Sequence, residues 1–450
     1  MPATVWQQLI AQENLMNDVA RPPLPDVVIT GIGIIAPNGI GKKAFWQACT
    51  TGISGIKQIS HFDAGSLPVR IAGEVTDFDP MLSGLTEYEA THLDRGTQFA
   101  LAASHLALQD AALGDTLSEE ERERTGVYMG TAMSCVEEGE RMWQQVTDNG
   151  TSSYTSMNFD YVPTNLLMTH ASAACTAAHF QLHGPNMVIA TGCSAGADAI
   201  GQAFWAIQEG RSDRMLAGGC DSAISPIGLN VFHVMGALST NFNAEPQRAS
   251  RPYDQKRDGF VMAEGAAVIL LERRDLALAR GAHIYADILA FSSNSNAYHM
   301  TSLPPDGSPL QQLLTQTLAD AGITHQQLGY INSHGSSTPS NDSAETAAYK
   351  TVFGAQAYHI PISATKSLIG HTQGAASAIE TAVTALVLEH QLIPPTLNLE
   401  HNDPLCDLDY VPNSARPASV DVALTHSSGF GGVNSALVLA RPQWIKQYGS

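Results

Sequence analysis

Asn186-Met-Val-Ile-Ala-Thr191 runs directly into Gly192-Cys-Ser-Ala-Gly196, and this junction decides how the chain folds. Val and Ile in a short apolar run bounded by glycine give a buried strand. The small residues that follow open a helix through about Gln208. A strand feeding straight into a helix is one βα unit, and the same grammar recurs outward in both directions. Val27 to Ile35 reads as a buried strand, Arg95 to Leu113 as an Ala-rich helix, Gly126 to Thr131 as a strand opening into a loop, and Arg214 to Gly219 as a further strand. Downstream, Ile284 to Phe291, Tyr330 to His334, Pro361 to Thr365, Val422 to Thr425 and Ser435 to Leu439 are strand-like. The Pro361 strand leads through Gly370-His-Thr-Gln-Gly374 into another Ala-rich helix. Ala195-Gly-Ala-Asp-Ala-Ile200 is similar to Gly374-Ala-Ala-Ser-Ala-Ile379, each opening a long apolar helix. A duplicated βα core of mostly parallel sheets, covered by helices on both faces, is the simplest account.

The totals agree. At 450 residues the chain exceeds the roughly 250–300 at which a single core stops growing. The expected division is an extension over 1–25, a first half over 26–280, a second half over 281–442 and a tail over 443–450. Val5 to Met16 could form an amphipathic helix, which Arg21-Pro-Pro-Leu-Pro25 would end. A net charge of −20 argues against nucleic-acid binding, which demands the opposite sign. No apolar run reaches membrane-spanning length and no signal peptide opens the chain, so a cytoplasmic protein is expected. The cysteines Cys49, Cys135, Cys175, Cys193, Cys220 and Cys406 form neither CxxC pairs nor zinc-like spacings with histidine, so no metal is expected. Gly31 and Gly33 invite a dinucleotide reading, but no third glycine follows at the required spacing and Pro37 intrudes.

Chemistry concentrates at predicted strand ends, where sites assemble in α/β sheets. Cys193 sits at a helix N-terminus, whose positive end favours a thiolate. An isolated buried cysteine is commonly structural; the strand–Gly–Cys–small–Gly arrangement favours a nucleophile. His334 lies in Asn-Ser-His-Gly-Ser-Ser-Thr338, and His371 just before the helix at Gly374. Either alone, among 16 histidines, reads as an ordinary one; each following a strand is what raises its interest. Lys366 stands one turn before His371, and Asp342 and Glu345 share a helix face at i,i+3; a Lys and a Glu close to a His pair could fix its charge states, or could simply form an ordinary salt bridge. Gly429-Phe-Gly-Gly432 could aim backbone N–H groups at an oxyanion, or simply turn between strands.

Together, Thr191-Gly-Cys-Ser-Ala-Gly196, Arg251-Pro-Tyr-Asp254, Arg257-Asp-Gly-Phe260, Asn332-Ser-His-Gly-Ser-Ser-Thr-Pro339, Lys366-Ser-Leu-Ile-Gly-His371 and Gly429-Phe-Gly-Gly432 resemble the elongating β-ketoacyl-acyl-carrier-protein synthases of the thiolase superfamily. The resemblance covers about Val27 to Leu439. It implies a five-layered α-β-α-β-α fold. It implies that Cys193 carries the acyl chain, that His334 and His371 support decarboxylation, and that the N–H groups of Cys193 and Phe430 form the oxyanion hole. Phe430 would gate the site. Lys366 and Glu345 would organise the histidines, with Asp342 in support. Ser336, Thr338, Thr301 and Gly431 would hold the phosphopantetheine arm, Ser336 replacing the family's usual Thr. No bound cofactor is implied, since that arm belongs to the acyl carrier protein. Two histidines, rather than His plus Asn, separate the chain from priming synthases. A thiolase would need a second catalytic cysteine, and Cys406 has the wrong context.

Several details resemble the ketosynthase α subunits of type II polyketide synthases more than fatty-acid enzymes. Gly192 stands where fatty-acid enzymes read Ala, and Val433 where they read Thr. Phe159-Asp-Tyr-Val-Pro163, Glu345-Thr-Ala-Ala-Tyr-Lys350 and Cys406-Asp-Leu-Asp-Tyr-Val-Pro412 point the same way. Around Leu85 to Arg95 the chain offers Glu87, Glu89 and Asp94 where a basic carrier patch is expected. The implied partners are an acyl carrier protein and a Cys-less chain-length factor forming a heterodimer; a homodimeric fatty-acid elongation synthase is the alternative. A non-catalytic ketosynthase-like scaffold is disfavoured by the presence of Cys193, His334 and His371.

Overall fold

The computed structural model describes residues 24–153, 168–442 and 444. The expected helix at Val5 to Met16, most of the extension, most of the tail and Phe159 to Pro163 lie outside them. The first half contains β1 (Val27–Ala36), α1 (Arg95–Asp110), β2 (Thr125–Gly130), α2 (Ala171–Phe180), β3 (Asn186–Ile189), α3 (Ala195–Gln208), β4 (Arg214–Asp221) and β5 (Gly265–Arg273). The second half repeats the series as β6 (Ala286–Ser295), α4 (Ser308–Asp320), β7 (Tyr330–Asn332), α5 (Pro339–Phe353), β8 (Ile362–Ser363), α6 (Ala376–His390), β9 (Val422–Ser428) and β10 (Val433–Ala440).

The strand order is β8-β7-β9-β10-β6-β1-β5-β4-β2-β3, which reads the same from either end. In each half, four strands run parallel and one, β5 or β10, is reversed between its neighbours. The halves join where Val27, Val28 and Ile29 pair antiparallel with Ile288, Asp287 and Ala286. The duplicated, mostly parallel core is therefore as the sequence predicts. Three strands are shorter than expected: β3 stops at Ile189, β7 stops at Asn332, and β8 keeps only Ile362 and Ser363 before a one-turn helix at Lys366–Ile369.

Burial explains the layering. All of β1 is buried, as a β-branched run inside a covered sheet must be. Helix α1, capped by the Asp94 carboxylate accepting from the Thr97 N–H, covers the outside of β1, β4 and β5. A Cβ on Gly33 would collide with the Ala103 carbonyl of α1, so this glycine serves close packing and not nucleotide binding. Helix α4 covers β6 and β10. Helices α3 and α6 touch strands of both halves and each other, forming the central layer. They are accordingly apolar nearly all round, with α6 burying Ile379, Val383, Leu386 and Val387 completely. Truncating any of these to Ala costs about 2–5 kcal/mol.

The internal repeat needs one correction. Gly192 has φ 65 and opens a 3-10 turn over Gly192–Ser194; Gln373 has φ 52 and opens one over Gln373–Ala375. The helices then start at Ala195 and Ala376. The register is thus shifted by two residues from the one the similar letters suggest, and the counterpart of Cys193 is Gly374.

Candidate active site

A cavity of about 380 Å³ opens where the halves meet. Cys193, His334, His371, Phe430, Ser336, Thr338 and Thr301 all line it. Loops from distant parts of the chain deliver them, each leaving the C-terminal end of a strand.

Cys193 sits in the 3-10 turn between β3 and α3 and is nearly buried. Burial pushes its thiol up to about 11, against the Lys366 ammonium and the Phe430 N–H donated to the sulfur. The expected thiolate is corrected: desolvation outweighs the cationic surroundings, and the resting sulfur is a thiol at neutral pH. The other five cysteines are raised as well, by burial first in each case. Cys193 is therefore distinguished by its opening into the cavity and by the donors around it.

His334 follows β7. Its Nδ1 lies 3.3 Å from the Lys366 Nζ and 3.1 Å from the Ser427 Oγ. An ammonium facing Nδ1 makes that nitrogen an acceptor and assigns the proton to Nε2. His371 reaches the same state differently: its Nδ1 accepts the Gln373 N–H at 3.1 Å. Burial, followed by Lys366, holds both imidazoles well below the ordinary value of 6.5. Two neutral rings, 5.6 Å apart between centroids, thus share the cavity, each with its proton on Nε2. Such a pair can donate to an oxygen on which negative charge develops.

Lys366 also donates to the His334 carbonyl at 2.7 Å and to Glu380. Glu380 was invisible to sequence reasoning, being one carboxylate inside an apolar helix; a lone charge at a core position of α6 is the signal that could have found it. Burial pushes it up to about 7, with Lys366 opposing. Glu345 touches neither histidine side chain. Its carboxylate accepts from the Gly335 N–H at 3.1 Å, the Asn341 amide at 3.0 Å, and the hydroxyls of Tyr253 at 3.1 Å and Tyr349 at 2.6 Å. It also pairs with His426 at 3.2 Å. Burial raises the Glu345 carboxyl, but His426 and these donors outweigh it and the net shift is downward. Glu345 therefore steadies the residue after His334 and does not organise the rings directly. Asp342 lies beside it, accepting the Tyr253 N–H at 2.9 Å and pairing with Arg257 at 3.6 Å. Arg251 pairs with Asp254 at 2.9 Å and Arg257 with Asp403 at 2.5 Å, so both Arg motifs knit the loops behind the cavity.

Ser336 and Thr338 face the cavity with their hydroxyls 2.9 Å apart. Gly431 differs: the cavity wall there is Gly429, Phe430 and Gly432, while the Gly431 N–H is spent on the Met300 carbonyl at 2.7 Å. Ser427, also missed, lies 3.1 Å from the Cys193 carbonyl oxygen as well as from His334, so its one proton serves either side. Among the described residues no cluster of His, Cys, Asp and Glu is disposed to hold a metal, and no helix is long and apolar enough to cross a membrane.

A duplicated core with a cysteine on one central helix and paired histidines from the other half defines a thiolase-like condensing enzyme. The chain belongs to the β-ketoacyl synthase family, whose N-terminal domain matches residues 25–277 and whose C-terminal domain matches residues 285–400. It is an enzyme of the acyltransferase class. It is 45% identical to the tetracenomycin polyketide synthase ketoacyl synthase alpha subunit of Streptomyces glaucescens, over 93% of this chain and 97% of that one. It is 40% identical to 3-oxoacyl-acyl-carrier-protein synthase 2 of Coxiella burnetii, over 92% and 98%. Among solved structures, a type II polyketide synthase acyl-carrier protein in complex with its ketosynthase bound to the hexaketide aligns with TM-score 0.84 and 35% identity, covering 93% of this chain and 99% of that one. The ishigamide ketosynthase/chain length factor aligns with TM-score 0.84 and 30% identity, covering 93% and 99%.

Proposed function

We propose that this chain is the ketosynthase α subunit of a type II polyketide synthase and catalyses decarboxylative condensation with malonyl-carrier. The observation that carries the reading is the meeting of Cys193 with two neutral, Nε2-protonated imidazoles in one cavity. In the first step the Cys193 sulfur attacks the acyl-carrier thioester. A new C–S bond forms, and the carrier's pantetheine thiol departs with the proton the cysteine gave up. In the second, malonyl-carrier loses carbon dioxide, and the Nε2–H groups of His334 and His371 meet the enolate charge on the thioester oxygen. The enolate carbon then attacks the Cys193-bound acyl carbonyl. The N–H groups of Cys193 and Phe430 hold the tetrahedral oxyanion, the C–S bond breaks, and the sulfur takes up a proton from solvent in place of the one that left with the pantetheine thiol.

Lys366 fixes the His334 tautomer, with Glu380 balancing its charge. Glu345 and Asp342 brace the loop that carries His334. Phe430 gates the cavity between the two half-reactions. Ser336, Thr338 and Thr301 contact the pantetheine arm; Gly431 acts by shaping the Phe430 loop. The arm is substrate carried by an acyl carrier protein, so the enzyme needs no resident cofactor. The division into halves at 26–280 and 281–442, and a cytoplasmic location, complete the reading.

The partner subunit is a chain-length factor. A homodimeric fatty-acid elongation synthase is the second reading, favoured by the 40% identity to the Coxiella burnetii enzyme. Intact mass of the partner-bound enzyme after incubation with malonyl-carrier tests both. An acyl adduct absent from Cys193→Ala, with a long poly-β-keto product, supports the polyketide reading. Full condensation by the chain alone, with a saturating fatty-acid length series, overturns it.

A further inference from the structure

The helix Pro226–Val234 turns one face into the core that backs the Phe430 loop and the other to solvent. Inward, Leu229 and Phe232 are buried, and the Phe232 ring stacks on Phe430 at 6.0 Å. Outward, Ile227, Val231, Val234 and Met235 recur at i, i+4, i+7 and i+8 as one exposed apolar stripe, Val234 being 84% exposed. The stripe does not end with the helix. Met235 lines the cavity mouth, and so does Met300, which is 76% exposed and tied to the Phe430 loop through its carbonyl. Exposed apolar side chains gathered around the mouth of a substrate cavity mark an interaction surface.

The charge around the mouth identifies the occupant. No Lys or Arg is among the described residues lining the cavity. Arg251 and Arg257 are buried in ion pairs, and Arg248 is paired with Glu245 and Glu400. On the loop that carries Arg251 and Arg257, Lys256 is the exposed cation outside these ion pairs, so the loop offers an acidic carrier one charge and not a basic patch, and the chain's overall charge would repel such a carrier at long range. Whatever delivers a thioester arm into this cavity must nevertheless sit on the rim.

We infer that the apolar stripe Ile227–Val231–Val234, continued by Met235 and Met300, is the surface on which the acyl carrier protein docks, recognising it by apolar contact in place of charge. This rests on the proposed condensing function. It requires a carrier that presents apolar side chains beside its arm.

The test compares two acyl donors on the partner-bound enzyme: an acyl carrier protein, and the N-acetylcysteamine thioester of the same acyl group, which needs no docking. Acylation of Cys193 is followed by intact mass. In the Val231→Asp/Val234→Asp variant, KM for the acyl carrier should rise about 10-fold or more, while acylation by the small thioester stays at the wild-type rate. With Val234→Leu the carrier KM should return to the wild-type value. For the wild-type enzyme, carrier affinity should hold or strengthen between about 50 and about 500 mM salt, where a charge-based contact would weaken. An unchanged carrier KM, equal losses with both donors, or dissociation of the partner subunit in sedimentation would each overturn the inference. Failure of wild-type Cys193 to accept acyl groups from either donor would instead overturn the condensing function, and the inference with it.

Discussion

Asp221 in the first half and Ser427 in the second occupy one topological position. Gly219 pairs with Gly130 and Thr425 with Asn332, and two residues further along β4 and β9 stand Asp221 and Ser427. Each ties the loop after the neighbouring strand to the helix turn of the opposite half. Asp221 accepts from the Ala132 N–H at 2.8 Å and from the Gly374 N–H at 2.6 Å, and also from Thr131, Met133 and Ser134. Ser427 meets His334 and the carbonyl of Cys193, each at 3.1 Å. Ala132 and Gly374 are the counterparts of His334 and Cys193. The duplication thus built two bridges of one design. The first holds backbone amides with a buried carboxylate and serves structure; the second holds a nucleophile and an imidazole with one hydroxyl and serves chemistry.

The strongest way to break this comparison is to show that chemistry does not divide as the geometry does. His334→Ala and His371→Ala should each lower decarboxylation of malonyl-carrier about 10²–10⁴-fold, while acylation of Cys193 stays measurable by intact mass. Equal losses in both half-reactions would mean that the histidines work on the cysteine itself. The same rings predict a pH effect. Both are held well below 6.5, so the folded protein refuses protons that the unfolded chain binds. Their contribution to stability is complete above 6.5 and is lost as pH falls below it. Urea midpoints should accordingly drop between pH 7 and pH 5, and by less in the double His→Ala variant.

Lys366 and Glu380 have no ion-paired counterpart in the first half, where Ala199 aligns with Glu380 and the neighbouring Asp198 is held by the hydroxyls of Ser435 and Thr191. Removing one member leaves the other buried and alone. Lys366→Ala or Glu380→Ala should therefore cost about 3–5 kcal/mol in chemical denaturation. Lys366→Met with Glu380→Leu should recover most of that stability without recovering the condensation rate. A double variant that stayed active would reduce the pair to scaffolding, the role that Asp221 has.

Smaller effects should separate the two bridges themselves. Asp221→Ala strips partners from several buried N–H groups and should cost about 2–4 kcal/mol, with the turnover of the surviving folded enzyme little changed. Ser427→Ala should cost less than about 1.5 kcal/mol but lower kcat about 10-fold, with KM for malonyl-carrier unmoved. The reverse pattern would sink the distinction.

Much of this was legible in the sequence, for a reason that also explains what was not. Strand-end motifs are local: Thr191 to Gly196 and Asn332 to Pro339 spell out a turn, a helix start and a reactive side chain within a few letters. Partnerships across the fold have no such spelling. Glu380 is one acid in an apolar helix, Ser427 one serine beside another, and His426 one histidine of many, until the sheet brings each beside its target. Glu345 shows the opposite failure. Its helical spacing from Asp342 was read correctly, yet its target turned out to be the backbone next to His334. The thiolate expected at Cys193 failed because a helix end is visible in sequence and the burial that opposes it is not.

The smallest test concerns the turns that precede the two central helices. Gly192 and Gln373 both take a left-handed backbone, with φ 65 and 52, but only the second carries a side chain. A Cβ at 192 would also press the Phe430 carbonyl at 3.2 Å. Gly192→Ala should therefore cost about 1 kcal/mol and slow acylation a few-fold, because the strained turn carries Cys193 and the crowded carbonyl belongs to the gating loop. Gln373→Gly keeps the amide that the His371 Nδ1 needs and relieves the left-handed backbone, but it removes a buried side chain whose Nε2 donates to the His371 carbonyl at 3.4 Å, so the net change in stability should stay within about 1 kcal/mol. A loss of decarboxylation in Gln373→Gly would show that the side chain does more than tolerate its backbone. A gain in stability at unchanged rate would mean that the second half carries strain at the very turn where the first half has shed it.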